Sequence, residues 1–246
     1  RDIGQTETKK YDNMNRLVQE TDANGAKTTY QYDGKGQLLS STDGNGNTTA
    51  VAYDGNGNVI SVTDGEGRQV RYAYDLADRL TEAVAGDLNY ENRNTYTYDA
   101  VGNLTSTTDG NGNKTTYTYD LLSNQTSRTN ALGETESYSY DLNNRLEKIT
   151  RPNGNTIQYD YNKLDALLQT DYSDQADGQV LYTYDEEGKR LSMSDLTGTS
   201  TYQYDADGRI TGVQQGDGSV ILYNYDSYGN LAKLIYPDGS EVQYEY

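Results

Sequence analysis

Asp43-Gly44-Asn45-Gly46-Asn47, Asp54-Gly55-Asn56-Gly57-Asn58 and Asp109-Gly110-Asn111-Gly112-Asn113 place oxygen-bearing side chains at alternate positions. Calcium loops space their ligands in this way, so Asp43, Asn45, Asn47, Asp54, Asn56, Asn58, Asp109, Asn111 and Asn113 are candidate calcium ligands, the only cofactor the sequence suggests. None of the three loops carries the acidic residue that closes an EF-hand loop. Asn-Gly and Asp-Gly are also what type I′ hairpin turns demand, and that is the simpler reading. Glu186-Glu187 is the clearest carboxylate pair. Glycoside hydrolysis needs two carboxyls roughly 5–10 Å apart across a cleft, whereas adjacent residues diverge, and these two are expected in a turn. There is no Cys and no His among 246 residues, which removes disulfides, thiol nucleophiles, ordinary zinc sites and Ser-His-Asp triads.

Aromatic chemistry rests on Tyr alone, with 26 Tyr and no Phe or Trp. Tyr faces can stack on sugar rings, so carbohydrate is a candidate partner, but a Tyr ladder that packs one face of a sheet explains the same residues. With 20 basic and 38 acidic residues the net charge is −18, which argues against nucleic acid or anionic lipid. No stretch reaches the roughly 20 apolar residues of a membrane-spanning helix. Ile, Leu and Val supply only 39 residues, a share that normally signals disorder unless a repeat compensates.

The repeat is present. Tyr-Asp recurs at Tyr11, Tyr32, Tyr53, Tyr74, Tyr98, Tyr119, Tyr140, Tyr184, Tyr204 and Tyr225, with Tyr161-Asn162 filling the gap and Tyr246 in phase. Steps are 21 residues, except 24 before Tyr98, 23 before Tyr184 and 20 before Tyr204, giving eleven units. A second Tyr sits two places earlier in ten of the twelve cases, as at Tyr30, Tyr72, Tyr96, Tyr117 and Tyr138; Lys9 and Val51 are the exceptions. Side chains two apart share one face of a strand, so each Tyr pair marks a strand with Thr, Gln or Ser on its other face. Three places beyond the Asp comes a residue tolerant of positive φ: Gly36, Gly57, Asp78, Gly102, Asn144, Asp165, Gly188, Gly208 or Gly229. Two places further an aliphatic residue opens the next strand, as at Leu17, Leu38, Val59, Leu80, Leu104 and Leu146, with Gln125 and Arg190 breaking the rule. A second turn then follows, often Thr-Asp-Gly. Each unit is therefore two short strands and two turns. The expected fold is all-β, one antiparallel sheet of about 22 strands spanning 1–246 as a single repeat array. The two lengthened units, with insertions over Gly86–Asn94 and Asp171–Gln179, are expected to project loops. Out-of-phase Tyr90, Tyr172, Tyr228 and Tyr236 are candidates for surface contact.

Tyr32-Asp33-x-x-Gly36-x-Leu38-x-x-x-Thr42-Asp43-x-x-Gly46-x-Thr48 resembles the YD, or RHS, repeat, and the match runs from Tyr11 to Tyr246. Further copies read Tyr72-x-Tyr74-Asp75, Tyr96-x-Tyr98-Asp99-x-x-Gly102-x-Leu104 and Tyr117-x-Tyr119-Asp120. The resemblance extends to bacterial polymorphic toxins, insecticidal toxin complexes, wall-associated surface proteins and teneurins. It implies hairpins that spiral into a hollow shell or tube, a non-enzymatic scaffold, and, in the toxins, an enclosed C-terminal toxic domain. It implies secretion or surface display, with further repeats of the same chain or neighbouring protomers as partners. An extracellular fibre or adhesin built from the same array is the alternative. The chain is expected to be an excerpt of a longer array or a protomer within one.

Overall fold

A computed structural model describes residues 7–87, 90–174 and 178–246. The first eleven strands are β1 (Thr8–Tyr11), β2 (Leu17–Thr21), β3 (Lys27–Tyr32), β4 (Leu38–Thr42), β5 (Thr48–Tyr53), β6 (Val59–Thr63), β7 (Gln69–Tyr74), β8 (Leu80–Asp87), β9 (Tyr90–Tyr98), β10 (Leu104–Thr108) and β11 (Lys114–Tyr119). The remainder are β12 (Gln125–Thr129), β13 (Thr135–Tyr140), β14 (Leu146–Thr150), β15 (Thr156–Tyr161), β16 (Leu167–Tyr172), β17 (Gln179–Tyr184), β18 (Arg190–Asp195), β19 (Gly198–Tyr204), β20 (Ile210–Gln214), β21 (Val220–Tyr225), β22 (Leu231–Ile235) and β23 (Glu241–Gln243). No helix is present among the described residues. The expected 22 strands become 23 because the first Tyr-Asp is itself carried on a strand, β1, ahead of the first full unit. Gln125 and Arg190, which break the aliphatic rule, still open β12 and β18, since ladder hydrogen bonds are made by the backbone and tolerate either side chain.

The chain divides into two compact units along β12: residues 1–123 with 129–133, and residues 124–128 with 134–246. Within the first, each strand from β1 to β11 pairs antiparallel with the next. Within the second, the same holds from β13 to β23.

Register follows the sequence pattern. In β3, β5, β17 and β21 exposure alternates residue by residue, with each Tyr half-buried and each residue between them exposed. The Tyr face is thus the packed face, and a one-residue slip would expose it all. Packing is shallow: among the described residues the buried ones are Val84, Ile157, the polar Ser106 and Thr170, and Gly212. The ladder slips by one at each Tyr that ends a strand, as where Gln31 faces Ser40 but Tyr32 faces Leu38. Such a bulge increases local twist and bends the strand.

The turns correct the type I′ expectation. In Asp33–Gln37 the Asp33 carbonyl accepts from Gly36 N–H, and Asp33 N–H donates to the Gln37 carbonyl. Asp43–Asn47, Asp54–Asn58 and Asp109–Asn113 are closed in the same way. These are three-residue loops, a type I turn followed by one left-handed residue. Positive φ therefore falls on Gly36 (89°), Gly46 (86°), Gly57 (101°) and Gly112 (83°), not on the Lys or Asn before them. Asn15 and Ser123 take the same conformation at φ 61° and 65°, places where the sequence gives no Gly warning. A Cβ on Gly36 would meet nothing closer than Arg16 Nη1 at 4.0 Å, so only backbone strain opposes it. Gly36→Ala should therefore cost about 1–2 kcal/mol and Ser123→Gly should gain roughly 1 kcal/mol. Chemical denaturation of the two variants checks both signs.

The irregular steps also have structural causes. The 20-residue step arises at β18–β19, where Asp195 faces Gly198 across a two-residue turn. The first insertion lengthens β8 and β9 rather than forming a long loop, while at the second β16 runs on by one residue and Ser173 and Asp174 lie outside any strand. Asp87 pairs with Tyr90 at the tip of an extended β8–β9 hairpin, and β16 runs on to Tyr172, which faces Ile157. Residues 88–89 and 175–177, inside the two insertions, lie outside the described residues.

Candidate functional site

The chemistry-bearing residues converge on the turns, where they form one recurring clamp. Its first element is the Asp of Tyr-Asp. Asp99 Oδ1 accepts the backbone N–H of Val101, Gly102 and Asn103 at 2.8–3.0 Å, and Oδ2 accepts from Asn103 Nδ2 at 2.9 Å. Asp33 holds Lys35 and Gln37 N–H in the same way, and Asp75 holds Ala77 and Arg79. Asp120 accepts from Leu122 N–H. Short polar side chains that bond their own turn favour this geometry.

The second element, missed in the sequence, is the residue four places after the Asp. Arg16 bonds Asp12 through Nε at 2.7 Å, lies 4.9 Å over the Tyr32 ring and donates Nη1 to the Asp33 carbonyl at 3.0 Å. Arg79 repeats this on Asp75, Tyr98 and the Asp99 carbonyl, and Arg145 on Asp141, Tyr161 and the Asn162 carbonyl. Arg209 pairs with Asp205 and covers Tyr225. One guanidinium thus closes its own turn and fastens the next. The signal was readable as Asp-x-x-x-Arg in some turns and Asp-x-x-x-Asn in others.

The third element is the hydroxyl of the strand-ending Tyr. Tyr32 donates to the Leu17 carbonyl, Tyr53 to Leu38, Tyr74 to Val59, Tyr98 to Leu80, Tyr119 to Leu104 and Tyr161 to Leu146, all at 2.8–3.0 Å. The acceptor is always the residue that opens the preceding strand, next to the slip in the ladder. Polar backbone at a half-buried bulge needs a partner, and a phenol supplies it where Phe would not. This accounts for a repeat written in Tyr and devoid of Phe. The first Tyr of each pair has a different setting. Burial and a hydrogen bond to Glu136 push Tyr138 up to about 12, while Tyr30, bonded to Glu20, is raised to about 12 chiefly by that bond. Tyr72, Tyr96 and Tyr117 are half-buried on the same face.

At the three calcium-like loops, hydrogen-bond donors converge on the carboxylate. Asn47, Asn58 and Asn113 each turn Nδ2 toward Oδ2 of Asp43, Asp54 and Asp109 at 2.8–3.0 Å. Oδ1 of each Asp accepts backbone N–H groups, including those of Asn45, Asn56 and Asn111. The Asn side-chain amides, and then the backbone N–H groups, hold these three carboxyls below their ordinary pKa. A cation needs acceptors where these loops present donors. Melting curves in calcium and in chelator are accordingly expected to superimpose. A rise in melting temperature with calcium would restore the loops as metal sites. Among the described residues no cluster of three acidic side chains has metal-binding geometry.

The remaining sequence candidates lie apart from one another. Glu186 and Glu187 occupy a turn, where Glu187 pairs with Lys189. Tyr228 is exposed at a turn tip, Tyr236 is partly exposed, and Tyr172 is half-buried in β16. The side chain of Tyr90 lies outside the described residues.

Comparison with known proteins completes the picture. A family model for the RHS repeat matches residues 11–48, 53–87, 98–135, 123–156 and 204–241. The chain belongs to the RHS-repeat family. Among solved structures, TcdB2-TccC3 is 18% identical, covering 96% of this RHS-repeat chain and 16% of its own, with a TM-score of 0.73. TcdB2-TccC3-Cdc42 is 17% identical over 98% of this chain and 15% of its own, at 0.71. The Tc holotoxin pore of Photorhabdus luminescens is 16% identical over 98% of this chain and 17% of its own, at 0.52. At such identities the likeness is one of fold, and this chain spans about a sixth of their length. A search of curated proteins finds no match. The RHS repeats here form a structural scaffold in which Asp12, Arg16, Asp75, Arg79, Asp141 and Arg145 close turns and join neighbours.

Proposed function

We propose that this chain is a stretch of non-enzymatic wall in a secreted or surface-displayed protein, and that the wall encloses a polypeptide cargo. The observation that carries this reading is the one-sided sheet. Every second strand sets half-buried Tyr on one face and more exposed side chains, such as Gln31 and Thr183, on the other, and almost nothing is fully buried. A single layer of this kind separates two spaces. Its Tyr face offers both ring surface and hydroxyls, suited to a cargo held without tight packing. The fold shared with Tc toxin structures supports the same reading.

Electron microscopy of the native particle tests it. A closed wall with density inside is the expected result. A filament with a repeat set by the 21-residue unit would overturn it in favour of a surface fibre. One observation favours a carbohydrate-binding role within that alternative: Tyr202 and Tyr204, with Glu186, Glu187 and Gln203, line an open hollow of about 710 Å³. Binding to glycans that is lost in Tyr202→Ala would establish it.

A further inference from the structure

The pentapeptide Asp-Gly-Asn-Gly-Asn occurs three times, at 43–47, 54–58 and 109–113. All three loops close through the same pair of backbone hydrogen bonds, and Asn45, Asn56 and Asn111 are all exposed. Their surroundings differ. The loop at 54–58 joins β5 to β6 and belongs to the row of Tyr-Asp turns, while those after β4 and β10 belong to the opposite row. In its row the middle loop is laced to both neighbouring turns. Asn56 Nδ2 donates to Asp78 Oδ1 at 2.9 Å, and Asn58 Nδ2 donates to the same oxygen at 2.7 Å. The Gly57 carbonyl accepts from Gln37 Nε2 at 3.3 Å, and Gly57 N–H donates to Asp54 Oδ1 at 2.8 Å. Asn45 and Asn111 have no such tether: among the described residues their side chains make no hydrogen bond. A Cβ on Gly46 or Gly112 would meet nothing within 4 Å, whereas on Gly57 it would lie 3.1 Å from Gln37 Nε2.

We infer that Asn45 and Asn111 are sites of spontaneous deamidation through the backbone, and that the bonds between turns protect Asn56 from it. This holds whether or not the wall encloses a cargo. Asn followed by Gly is the reactive arrangement, because the attacking amide carries no side chain to block its approach. The Gly46 nitrogen attacks Asn45 Cγ; the new N–Cγ bond closes a five-membered succinimide and the Cγ–Nδ2 bond breaks. The proton of the Gly46 amide leaves with Nδ2 as ammonia. Water then opens the ring at either carbonyl, leaving aspartate or isoaspartate. Asn111 reacts with the Gly112 nitrogen in the same way. Attack requires the Asn side chain and the next amide to leave their places in the turn, a local opening. At Asn45 and Asn111 this opening breaks the bond from the Gly amide to the carbonyl of Asp43 or Asp109, at 3.0 and 2.9 Å. At Asn56 the contacts with Asp54 Oδ1, Gln37 and Asp78 must open as well. Each additional bond slows the reaction about fivefold, so Asn56 is expected to react more than about tenfold slower than the other two. The local sequence is the same, so the difference comes from the fold. Each conversion adds one negative charge to one row of turns, and isoaspartate also lengthens the backbone of a three-residue loop.

Ageing the full chain at mildly alkaline pH, followed by peptide mass spectrometry, tests this. Cleavage after Tyr53 separates the first two loops, so each Asn is followed in its own peptide. The expected result is conversion of Asn45 and Asn111 while Asn56 stays an amide. In urea, with the turns opened, the three rates should converge. Asp78 holds φ at 58°, a conformation Gly adopts freely, so Asp78→Gly removes the tether on Asn56 without straining the turn. In the folded variant Asn56 should react about fivefold faster than before, with Asn45 and Asn111 unchanged. Equal rates at the three sites in the folded chain, a difference that persists in urea, or no acceleration of Asn56 in Asp78→Gly would each overturn the inference.

Discussion

Tyr161→Ala is expected to lose about 3 kcal/mol of stability, whereas Tyr228→Ala should change it by less than about 0.5 kcal/mol. Tyr161 is in phase with the repeat and Tyr228 is not, and only Tyr161 is built into the clamp. Tyr161 donates its hydroxyl to the Leu146 carbonyl at 2.9 Å and lies beneath the Arg145 guanidinium, 4.7 Å from its ring centre. Removing the ring exposes the aliphatic surface it covers, removes the cation–π contact, worth about 0.5–1 kcal/mol at a partly exposed site, and leaves a bulge carbonyl without its phenol. Tyr161→Phe isolates the last of these and should cost about 1 kcal/mol, since the ring stays. Tyr228 stands 90% exposed at a turn tip and covers little. Urea denaturation of the four proteins gives the comparison. If Phe at 161 costs as much as Ala, the ring is not what the clamp holds.

The second large effect is a stability plateau bounded by two steep limbs. The chain has no His, so no side chain titrates through the neutral range and stability should be flat between about pH 5 and 9. On the acid side, Asn amides, followed by backbone N–H groups, hold the carboxyls of Asp43, Asp54 and Asp109 below their ordinary value. The Arg68 and Arg79 side chains act likewise on Asp64 and Asp75. A carboxyl whose folded pKa lies below its unfolded value near 3.8 stabilises the fold above that value. That contribution disappears as pH falls through the folded pKa. Acid unfolding is therefore expected below about pH 4, and cooperatively, because the same clamp recurs in successive turns. On the alkaline side, Tyr30 and Tyr138 ionise at about 12 when folded, against 10 for an ordinary Tyr. Their contribution is complete below pH 10 and is lost as pH rises through 12. Far-ultraviolet circular dichroism across pH, with Tyr absorbance near 295 nm on the alkaline limb, checks both. Gradual unfolding from pH 6 downward would show that the turn carboxylates do not act in this way.

The fold was legible in the sequence because its signals are local. Tyr two apart on one face, a turn-former three places beyond Asp and an aliphatic two places later locate nearly every strand. What the sequence concealed depends on register. That Tyr119 reaches the Leu104 carbonyl follows from which strands lie side by side and where the ladder slips, and nothing at position 104 announces it. In Asp-Gly-Asn-Gly both glycines look equally suited to positive φ, and loop length decides that the second takes it. The roles of Arg16, Arg79 and Arg145 were hidden for another reason. Each acts on its own turn and on one about twenty residues ahead, and the second partner is visible only once the strands are paired. The first insertion misled because extra residues can lengthen a hairpin as readily as form a loop, and Asp87 facing Tyr90 shows that course taken.

The clamp draws its partners from its own unit and the one beside it, by a rule identical along the chain: Arg16 acts on Tyr32, Arg79 on Tyr98, Arg145 on Tyr161. Loss or gain of one whole unit leaves every donor facing an equivalent acceptor, while loss of part of a unit leaves two turns without partners. These contacts favour change in length by whole units over change by part of one, and where a unit does vary, as at β8–β9, both strands of its hairpin lengthen together.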